Sequence, residues 1–286
     1  KMSLKYLVNS PKMWIKNFPW KKNSGNKYTR GRVVIHGGEK EFTGATILAA
    51  EASLRTGVGS VKIICKRETL QIYSVKFPSA LKIQINDLKK LKKFLKNEKI
   101  TSVLIGPGAG SNIKIKKITK EILKQIKYVV IDADALTCFK DDLKSFYKLL
   151  DKNKIITPHI AEFNKIFPKI KKNISNVNKV IEAIKLTKSN IVLKGPKTVI
   201  GSYNKKIVVN FHASPELAII GSGDVLSGII TSLVGEKKMK PFLAACAATW
   251  IHGDIGKKYN KKGLIAEDIV HNIPSALKRL YKWKSY

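Results

Sequence analysis

A regular alternation of short apolar segments with longer amphipathic ones constrains the fold more than any other feature of the sequence. Apolar runs that end in glycine, proline or aspartate are typical of strands buried on both faces, as in a parallel sheet covered by helices. Consecutive parallel strands need a crossover connection, which is right-handed and usually helical. We therefore predict an α/β fold with a doubly wound, mostly parallel sheet and helices on both faces. Its strand segments are 32–38, 61–65, 102–106, 128–135, 154–158 and 190–195, with a weaker one at 81–85.

Helical periodicity fills the intervals between these strands and the last part of the chain. Segments 198–202 and 206–211 are predicted to form a hairpin, which would add antiparallel strands at one edge of the sheet. Asn86 is a candidate cap for one amphipathic helix. The predicted helices are 43–57, 86–97, 113–127, 177–188, 222–235, 241–260 and 264–282, with a short one at 161–167.

The first 30 residues differ in character from the rest of the chain. They are polar, they are interrupted by Pro11, Pro19 and Gly25, and they carry Trp14 and Trp20. We predict that residues 1–30 form an N-terminal arm laid over a single domain of residues 31–286, because no linker or internal repeat divides the remainder.

The formal net charge of +35 favours the binding of anions. Only five of the 55 basic residues are arginine, whereas dedicated phosphate and base readout favours the bidentate guanidinium group. The lysines are spread through almost every predicted helix, which indicates solvated helix faces. We expect capture of polyanionic small molecules such as nucleotides and no nucleic-acid partner. A basic nucleic-acid-binding protein remains the less favoured alternative, and it predicts salt-sensitive binding to duplexes.

Cysteine use and hydropathy bear on the compartment. The three cysteines lie far apart without a C-x-x-C pair, which argues against a disulfide framework or a zinc site and fits a reducing cytoplasm. The most apolar stretch, 217–234, contains Asp224 and several glycines and is a poor membrane span. We expect a cytoplasmic protein without a membrane partner.

Candidate functional residues lie in the loops after the strands, because ligands of such sheets bind beyond the carboxyl ends of the strands. The glycine-rich loops match neither the P-loop nor the dinucleotide fingerprint, and each alone is more typical of a plain loop than of a phosphate site. Asp134 could cap a helix, His159 could be structural, and Lys194 could be one more surface lysine. The loops are 36–44, 106–110, 132–136, 157–163, 194–198 and 221–224.

The sequence GSGD at 221–224 directly precedes a long apolar helix and is the most specific of these loops. Gly221 and Gly223 would let backbone N–H groups converge at the helix start, where the macrodipole adds positive potential. A phosphoryl group bound there would bring its acceptor hydroxyl close to Asp224, whose carboxylate would take the proton. The alternative is that Asp224 merely favours the helix N-terminus through the dipole.

Taken in order, these motifs resemble one family over nearly the whole chain. The resemblance rests on TGATILAAEASLRTGVG, GPGAG, DADAL, TPHIAEF, LKGPKT, GSGDVLSGII and AACAATWIHGDIG. The sequence is similar to the ADP/ATP-dependent NAD(P)H-hydrate dehydratases of the ribokinase-like superfamily. The resemblance implies a ribokinase-like fold and a repair reaction. In that reaction ADP or ATP phosphorylates the hydroxyl of the S epimer of NAD(P)H hydrate, and loss of phosphate restores NAD(P)H.

The resemblance also assigns roles to individual residues. Asp224 would be the base, with the Gly221, Ser222 and Gly223 amides as the anion hole. Residues expected to line the hydrate are Ala45, Gly108, His159 and Asp224, and those expected to hold the adenine nucleotide are Lys194, Gly195, Pro196, Lys197, Thr198 and Gly223. A Mg²⁺ ion on the donor phosphates is expected, with no residue assigned to the metal.

Several residues depart from the family pattern and bear on loop geometry and on the choice between ADP and ATP. They are Ile160 and Ala161 after His159, Lys197 in the nucleotide loop, and Glu216, Ile219 and Ile220 before the tetrad.

Partners and a rival activity follow from the same resemblance. Related enzymes are commonly homo-oligomers, and bacterial members frequently carry an N-terminal epimerase. Because the chain begins at Lys1, we expect it to be the C-terminal half of a bifunctional protein or to be paired with an epimerase. The rival interpretation is another ribokinase-like kinase, which would phosphorylate a vitamin or sugar and release a stable ester.

Overall fold

The computed structural model describes residues 6–21, 29–236, 239–260 and 262–285. These residues form one sheet of ten strands. The strand order is β1-β10-β9-β8-β7-β6-β5-β2-β3-β4. The strands are β1 (Leu7–Val8), β2 (Arg32–His36), β3 (Ser60–Cys65), β4 (Leu81–Gln84), β5 (Ser102–Ile105), β6 (Val129–Ile131), β7 (Lys154–Ile156), β8 (Asn190–Leu193), β9 (Thr198–Gly201) and β10 (Ile207–Asn210).

Helices cover both faces of this sheet. They are α1 (Thr43–Thr56), α2 (Arg67–Lys76), α3 (Leu88–Asn97), α4 (Ile113–Gln125), α5 (Asp134–Thr137), α6 (Leu143–Leu149), α7 (Ile160–Ile166), α8 (Asn176–Thr187), α9 (Ser222–Gly235), α10 (Pro241–Lys258) and α11 (Ala266–Arg279). Short 3₁₀ turns lie at Pro11–Met13, Ile15–Asn17, Lys40–Phe42, Pro215–Leu217 and Leu280–Trp283.

The strand pairing confirms the predicted α/β class. Strands β2 to β8 are parallel throughout, whereas β9 is antiparallel to both β8 and β10. The chain builds outward from β2 through β3 to β4 and then continues with β5 on the other side of β2. The direction of winding therefore reverses between β2 and β5, and ligands of open α/β sheets bind at such a reversal.

The N-terminal arm contributes a strand that the sequence did not predict. The antiparallel hairpin is confirmed, but it is not the outermost pair, because β1 lies parallel to β10 at the edge. Trp14 is fully buried and packs edge-on against Trp250, with ring centroids 6.1 Å apart. The Asn9 side chain donates to Asn210 Oδ1 at 2.9 Å and to the Cys246 carbonyl at 2.7 Å. Residues 1–5 and 22–28 of the predicted arm lie outside the described residues.

Other elements also differ from the prediction. Asp87, not Asn86, caps α3, because its side chain accepts from the Lys90 amide at 2.8 Å. Helices α2, α5 and α6 were not predicted; α2 buries only Thr69 and Tyr73, which leaves a weak periodic signal. The last helix is shorter than predicted and ends in the 3₁₀ turn. Among the described residues, no helix combines the length and the apolar character needed to cross a membrane.

A close helix pair lies beneath the reversal point of the sheet. Ser53 Oγ on α1 donates to the Gly228 carbonyl on α9 at 2.9 Å, so the backbones of the two helices pack closely at this point. A Cβ placed on Gly228 would lie 2.3 Å from the Ala49 carbonyl oxygen, well inside contact distance. Glycine at 228 therefore sets the depth at which α9 packs on α1.

We expect Gly228→Ala to lower the free energy of unfolding by about 2 kcal/mol, since the methyl group forces the helices apart. Gly44→Ala is the matched control, because a Cβ at Gly44 meets nothing within 4 Å. That control should leave stability unchanged or raise it by up to about 1 kcal/mol. Urea denaturation of both variants checks this, and equal stabilities would show that the helix contact is looser than described.

Candidate active site

The predicted loops converge at the carboxyl edge of the central strands. Asp132 follows β6, His159 follows β7 and Lys194 follows β8. The Lys194 amide donates to the Pro158 carbonyl at 2.9 Å, which holds two of these loops side by side. Helix α9 begins at Ser222 and packs under β5 and β6, so the GSGD tetrad faces the same edge.

The tetrad forms a tight turn at the start of α9. Gly221 occupies the cap position with φ 85°, a left-handed conformation that favours glycine. A Cβ there would also lie 2.7 Å from Leu48 Cδ1 and 2.8 Å from the Ala266 Cβ. Ile220 is 99% exposed, so this departure from the family pattern does not block the turn, and Ile219 packs against the core instead.

Ser222 contributes backbone rather than side chain to this turn. Its hydroxyl is buried and lies 2.9 Å from His252 Nε2, on α10 behind the tetrad. Burial lowers the pKa of His252 to about 4, so the imidazole is neutral at physiological pH. The predicted role of Ser222 in the anion hole concerns its amide and not this hydroxyl, and it stays a prediction.

A buried ion pair lies next to the GSGD tetrad. Lys194 Nζ donates to Asp132 Oδ1 at 2.7 Å, and Ser227 Oγ donates to Asp132 Oδ2 at 2.6 Å. A Cβ on Gly223 would lie 3.3 Å from Lys194 Nζ, so the ammonium group rests over the first turn of α9. Lys194 is therefore not one more surface lysine.

Asp224 shares this environment, and its ionisation reflects it. Burial raises the pKa of Asp224 to about 7, with the Asp132 carboxylate adding to the rise and the Lys194 ammonium opposing it. Burial lowers the pKa of Lys194, but the Asp132 and Glu162 carboxylates outweigh it, so that pKa is raised overall. A carboxylate with a pKa near neutrality beside a fixed cation is suited to general-base work.

His159 has a structural role at the start of α7, and its predicted contact with the hydrate stays a prediction. Its Nδ1 accepts from the Ala161 and Glu162 amides at 3.1 and 3.4 Å, and Glu162 Oε2 accepts from the His159 amide at 2.8 Å. This reciprocal cap begins α7 and leaves about half of the His159 side chain exposed. Nδ1 of His159 therefore has the structural role that the sequence analysis gave as the alternative. Ile160 and Ala161 form the first turn of α7.

The remaining predicted hydrate-lining residues lie near the reversal point. Ala45 is in the first turn of α1, and Gly108 follows β5 with φ 64°, its carbonyl accepting from the Glu39 amide at 2.8 Å. Asp134 does not cap α5, because it is that helix's first residue and its Oδ2 accepts from the Gly110 amide at 2.8 Å. Contact of Ala45 and Gly108 with a hydrate stays a prediction.

The predicted nucleotide loop links β8 to β9. Thr198 Oγ1 donates to the Gly195 carbonyl at 3.1 Å, and a Cβ on Gly195 would meet nothing within 4 Å, so this turn is open. The Lys197 ammonium lies 5.4 Å from the centre of the Phe211 ring. Lys197, which departs from the family pattern, therefore makes a cation–π contact with Phe211.

Sequence reasoning missed Asp132, Glu162 and Ser227 as members of the site. Asp132 is 1% exposed, and such burial of a carboxylate requires a partner. DADAL contained the signal, since a carboxylate directly after a buried strand is unusual. Across the described residues, no cluster of three or more His, Cys, Asp or Glu side chains could hold a metal ion.

Comparison with known proteins identifies the family. The model of the NAD(P)H-hydrate dehydratase family matches residues 33–278. The chain belongs to that family. It is 32% identical over 269 residues to the bifunctional NAD(P)H-hydrate repair enzyme of Dictyoglomus turgidum, covering 88% of this chain and 51% of that protein. It therefore spans about half the length of that relative.

Three further similar proteins are matched over nearly their whole length. The ADP-dependent (S)-NAD(P)H-hydrate dehydratase of Staphylococcus aureus is 30% identical, with 92% of this chain and 95% of that protein covered. The ADP/ATP-dependent dehydratase of Bacillus subtilis, co-crystallised with ATP and Mg²⁺, superposes with a TM-score of 0.80 at 22% identity, covering 97% of this chain and 99% of that one. A ribokinase-like superfamily protein of Enterococcus faecalis superposes with a TM-score of 0.84 at 23% identity, covering 98% of this chain and 99% of that one. At these identities the likeness confirms the ribokinase-like fold.

Proposed function

We propose that the chain dehydrates the S epimer of NAD(P)H hydrate back to NAD(P)H at the expense of ADP or ATP. One observation carries the proposal: a partly buried carboxylate, Asp224, with a pKa of about 7, lies in the first turn of α9, where the Lys194 ammonium rests over Gly223. Membership of the dehydratase family and the activity named for the Staphylococcus aureus relative support it.

The first step is phosphoryl transfer to the hydroxyl of the hydrate. Asp224 accepts the hydroxyl proton as the oxygen forms its bond to the terminal phosphorus of the donor, and the bond to the leaving AMP or ADP breaks. The amides of Gly221, Ser222 and Gly223 and the Lys194 ammonium face the charge that develops on the phosphoryl oxygens. These groups are fixed before the reaction, so little reorganisation is needed.

The second step is loss of phosphate. The ring nitrogen lone pair expels the phosphate by breaking the carbon–oxygen bond, and loss of a proton from the adjacent carbon restores the double bond of the dihydronicotinamide. Phosphorylation converts hydroxide, a poor leaving group, into phosphate, a good one. The cations and amides that held the phosphoryl group then face the departing phosphate.

Mg²⁺ would neutralise charge on the donor phosphates when bound. Such an ion is usually held by the substrate phosphates, by water and by one or two carboxylates, so it does not require a cluster of three ligating side chains, and the described residues contain none. The Bacillus subtilis relative crystallised with ATP and Mg²⁺ supports this choice.

A cytoplasmic location, assembly into homo-oligomers and action beside an epimerase also belong to this proposal. The bifunctional relatives, about twice the length of their match to this chain, support the last of these. The epimerase would supply the S epimer from the R epimer.

The test is to incubate the chain with NADPH hydrate and ADP or ATP and follow the absorbance of regenerated NADPH. The proposal predicts its return only when a donor is present. The rival vitamin or sugar kinase predicts no NADPH and a stable phosphate ester when an alcohol of that class is supplied.

The pH dependence follows from Asp224. Because the base must be ionised, kcat/KM for the hydrate should rise as pH increases through about 7 and fall tenfold for each pH unit below it. A pH series at fixed ionic strength measures this. A profile that stays flat across neutrality would show that Asp224 is not the base.

A further inference from the structure

A second cleft opens at the same sheet edge, on the opposite face from α9. It lies where β2, β3 and β4 end, between the beginnings of α3 and α4. Its floor is apolar and is formed by Ile64, Ile85, Leu91 and Ile115. Small-molecule sites are typically concave and apolar with a few polar groups around them, and this cleft has that character.

Charged side chains surround the mouth of this cleft, which we call the lysine cleft after Lys66, Lys114 and Lys117; the carboxylates of Glu39 and Asp87 also line it. Lys66 pairs with Glu39, whereas Lys114 and Lys117 are exposed and form no ion pair with a carboxylate in the described part of the chain. The ion pairs of α4 with Asp142 are instead made by other lysines on the same helix. Two cations at the mouth are therefore free to meet an anion.

Two further features add polar character to the lysine cleft. Helices α3 and α4 both begin at its walls, so their positive dipole ends face it. His36 lines the cleft, is 8% exposed, and its Nδ1 has no hydrogen-bond partner among the described residues. Burial, with the nearby Lys66 charge, lowers the pKa of His36 to about 4, so the ring adds no charge.

One loop connects the lysine cleft to the candidate active site. Glu39 lines the cleft, and its amide donates to the carbonyl of Gly108 at 2.8 Å. Gly110, two residues on, donates to Asp134, whose charge contributes to the raised pKa of Asp224. The loop at 106–110 therefore contacts the border of the lysine cleft and also the surroundings of Asp224, along the same edge of the sheet.

Resting on the proposed function, we infer that the lysine cleft binds the adenosine and phosphate half of the hydrated dinucleotide, the half that does not react. This half offers a flat base for the apolar floor and phosphates for Lys114 and Lys117. The donor nucleotide would occupy the separate loop at 194–198. Binding energy from this remote half would hold the hydroxyl at Asp224.

The experiment compares two substrates in two charge-reversed variants. The substrates are the hydrates of NADPH and of reduced nicotinamide mononucleotide, which lacks the adenosine half. The test variant is Lys114→Glu with Lys117→Glu. The control is Lys93→Glu with Lys124→Glu, which makes the same charge change at exposed positions of α3 and α4 outside the cleft.

For the test variant we expect KM for NADPH hydrate to rise about tenfold with kcat unchanged, because two favourable charge contacts become repulsive. KM for the mononucleotide hydrate should not change, and the control variant should match the wild type with both substrates. A wild type that handles both hydrates with equal KM, or a test variant with unaltered KM for NADPH hydrate, would overturn the inference while leaving the proposed function standing. Failure of the wild type to regenerate either product would overturn the proposed function itself.

Discussion

Asp224→Asn is expected to lower turnover of NADPH hydrate by about 10²-fold or more, the range lost when a general base is removed. The amide cannot take the hydroxyl proton, whereas the backbone amides of the tetrad and Lys194 keep their places. Donor binding should therefore be retained, and calorimetric titration with ADP should give an affinity close to that of the wild type.

Stability provides the control for this variant. The folded pKa of Asp224, about 7, lies above its ordinary value of 3.8, so ionisation of this carboxyl destabilises the folded state. The cost grows as pH rises from 3.8 to about 7 and is constant above that. Asp224→Asn removes that charge and should unfold at a higher temperature than the wild type above neutral pH, with the difference fading in acid. An inactive variant that is also less stable above neutral pH would indicate misfolding rather than loss of the base.

Asp132→Asn should lower the free energy of unfolding by about 3 kcal/mol, because it leaves the Lys194 ammonium without its ion-pair partner. This is the lower end of the range for breaking a buried pair, since Glu162 and Asp224 also lie close enough to attract Lys194. Urea denaturation at neutral pH measures the loss. Asp134→Asn is the matched control, and its cost should be about 1 kcal/mol or less because the amide oxygen can still accept from Gly110.

A double variant separates charge pairing from packing. Combining Asp132→Asn with Lys194→Met removes both charges at once, so most of the stability lost in the single variant should return while activity stays low. If the double variant is as unstable as the single one, the hydrogen bond from Ser227 and local packing, rather than the ion pair, hold this region together.

The sequence predicted the central strands because each is apolar and ends in glycine, proline or aspartate. It did not predict elements that bury few side chains, or strands whose partner lies far away along the chain. Helix α2 is largely exposed, so its pattern is weak, and β1 is a two-residue strand whose partner lies some two hundred residues away. Strands of that kind are defined by tertiary contacts rather than by local propensity.

For the site, the motif at 221–224 was sufficient to single out Asp224, but not the groups that set its pKa. Asp132, Glu162 and Lys194 follow three different strands, and only the sheet order brings them together. Ser222 shows the converse limit, since its side chain turns to His252, thirty residues away. Residue type and spacing do not encode such orientations.

The most direct test of phosphoryl transfer at Asp224 follows the oxygen atom of the hydrate. NADPH hydrate labelled with heavy oxygen at its hydroxyl, with label retention checked in unreacted hydrate, is converted by the enzyme and ADP. The account predicts that the label appears in the inorganic phosphate, in step with NADPH, because the carbon–oxygen bond breaks after phosphorylation. Label released into water, with unlabelled phosphate, would contradict it.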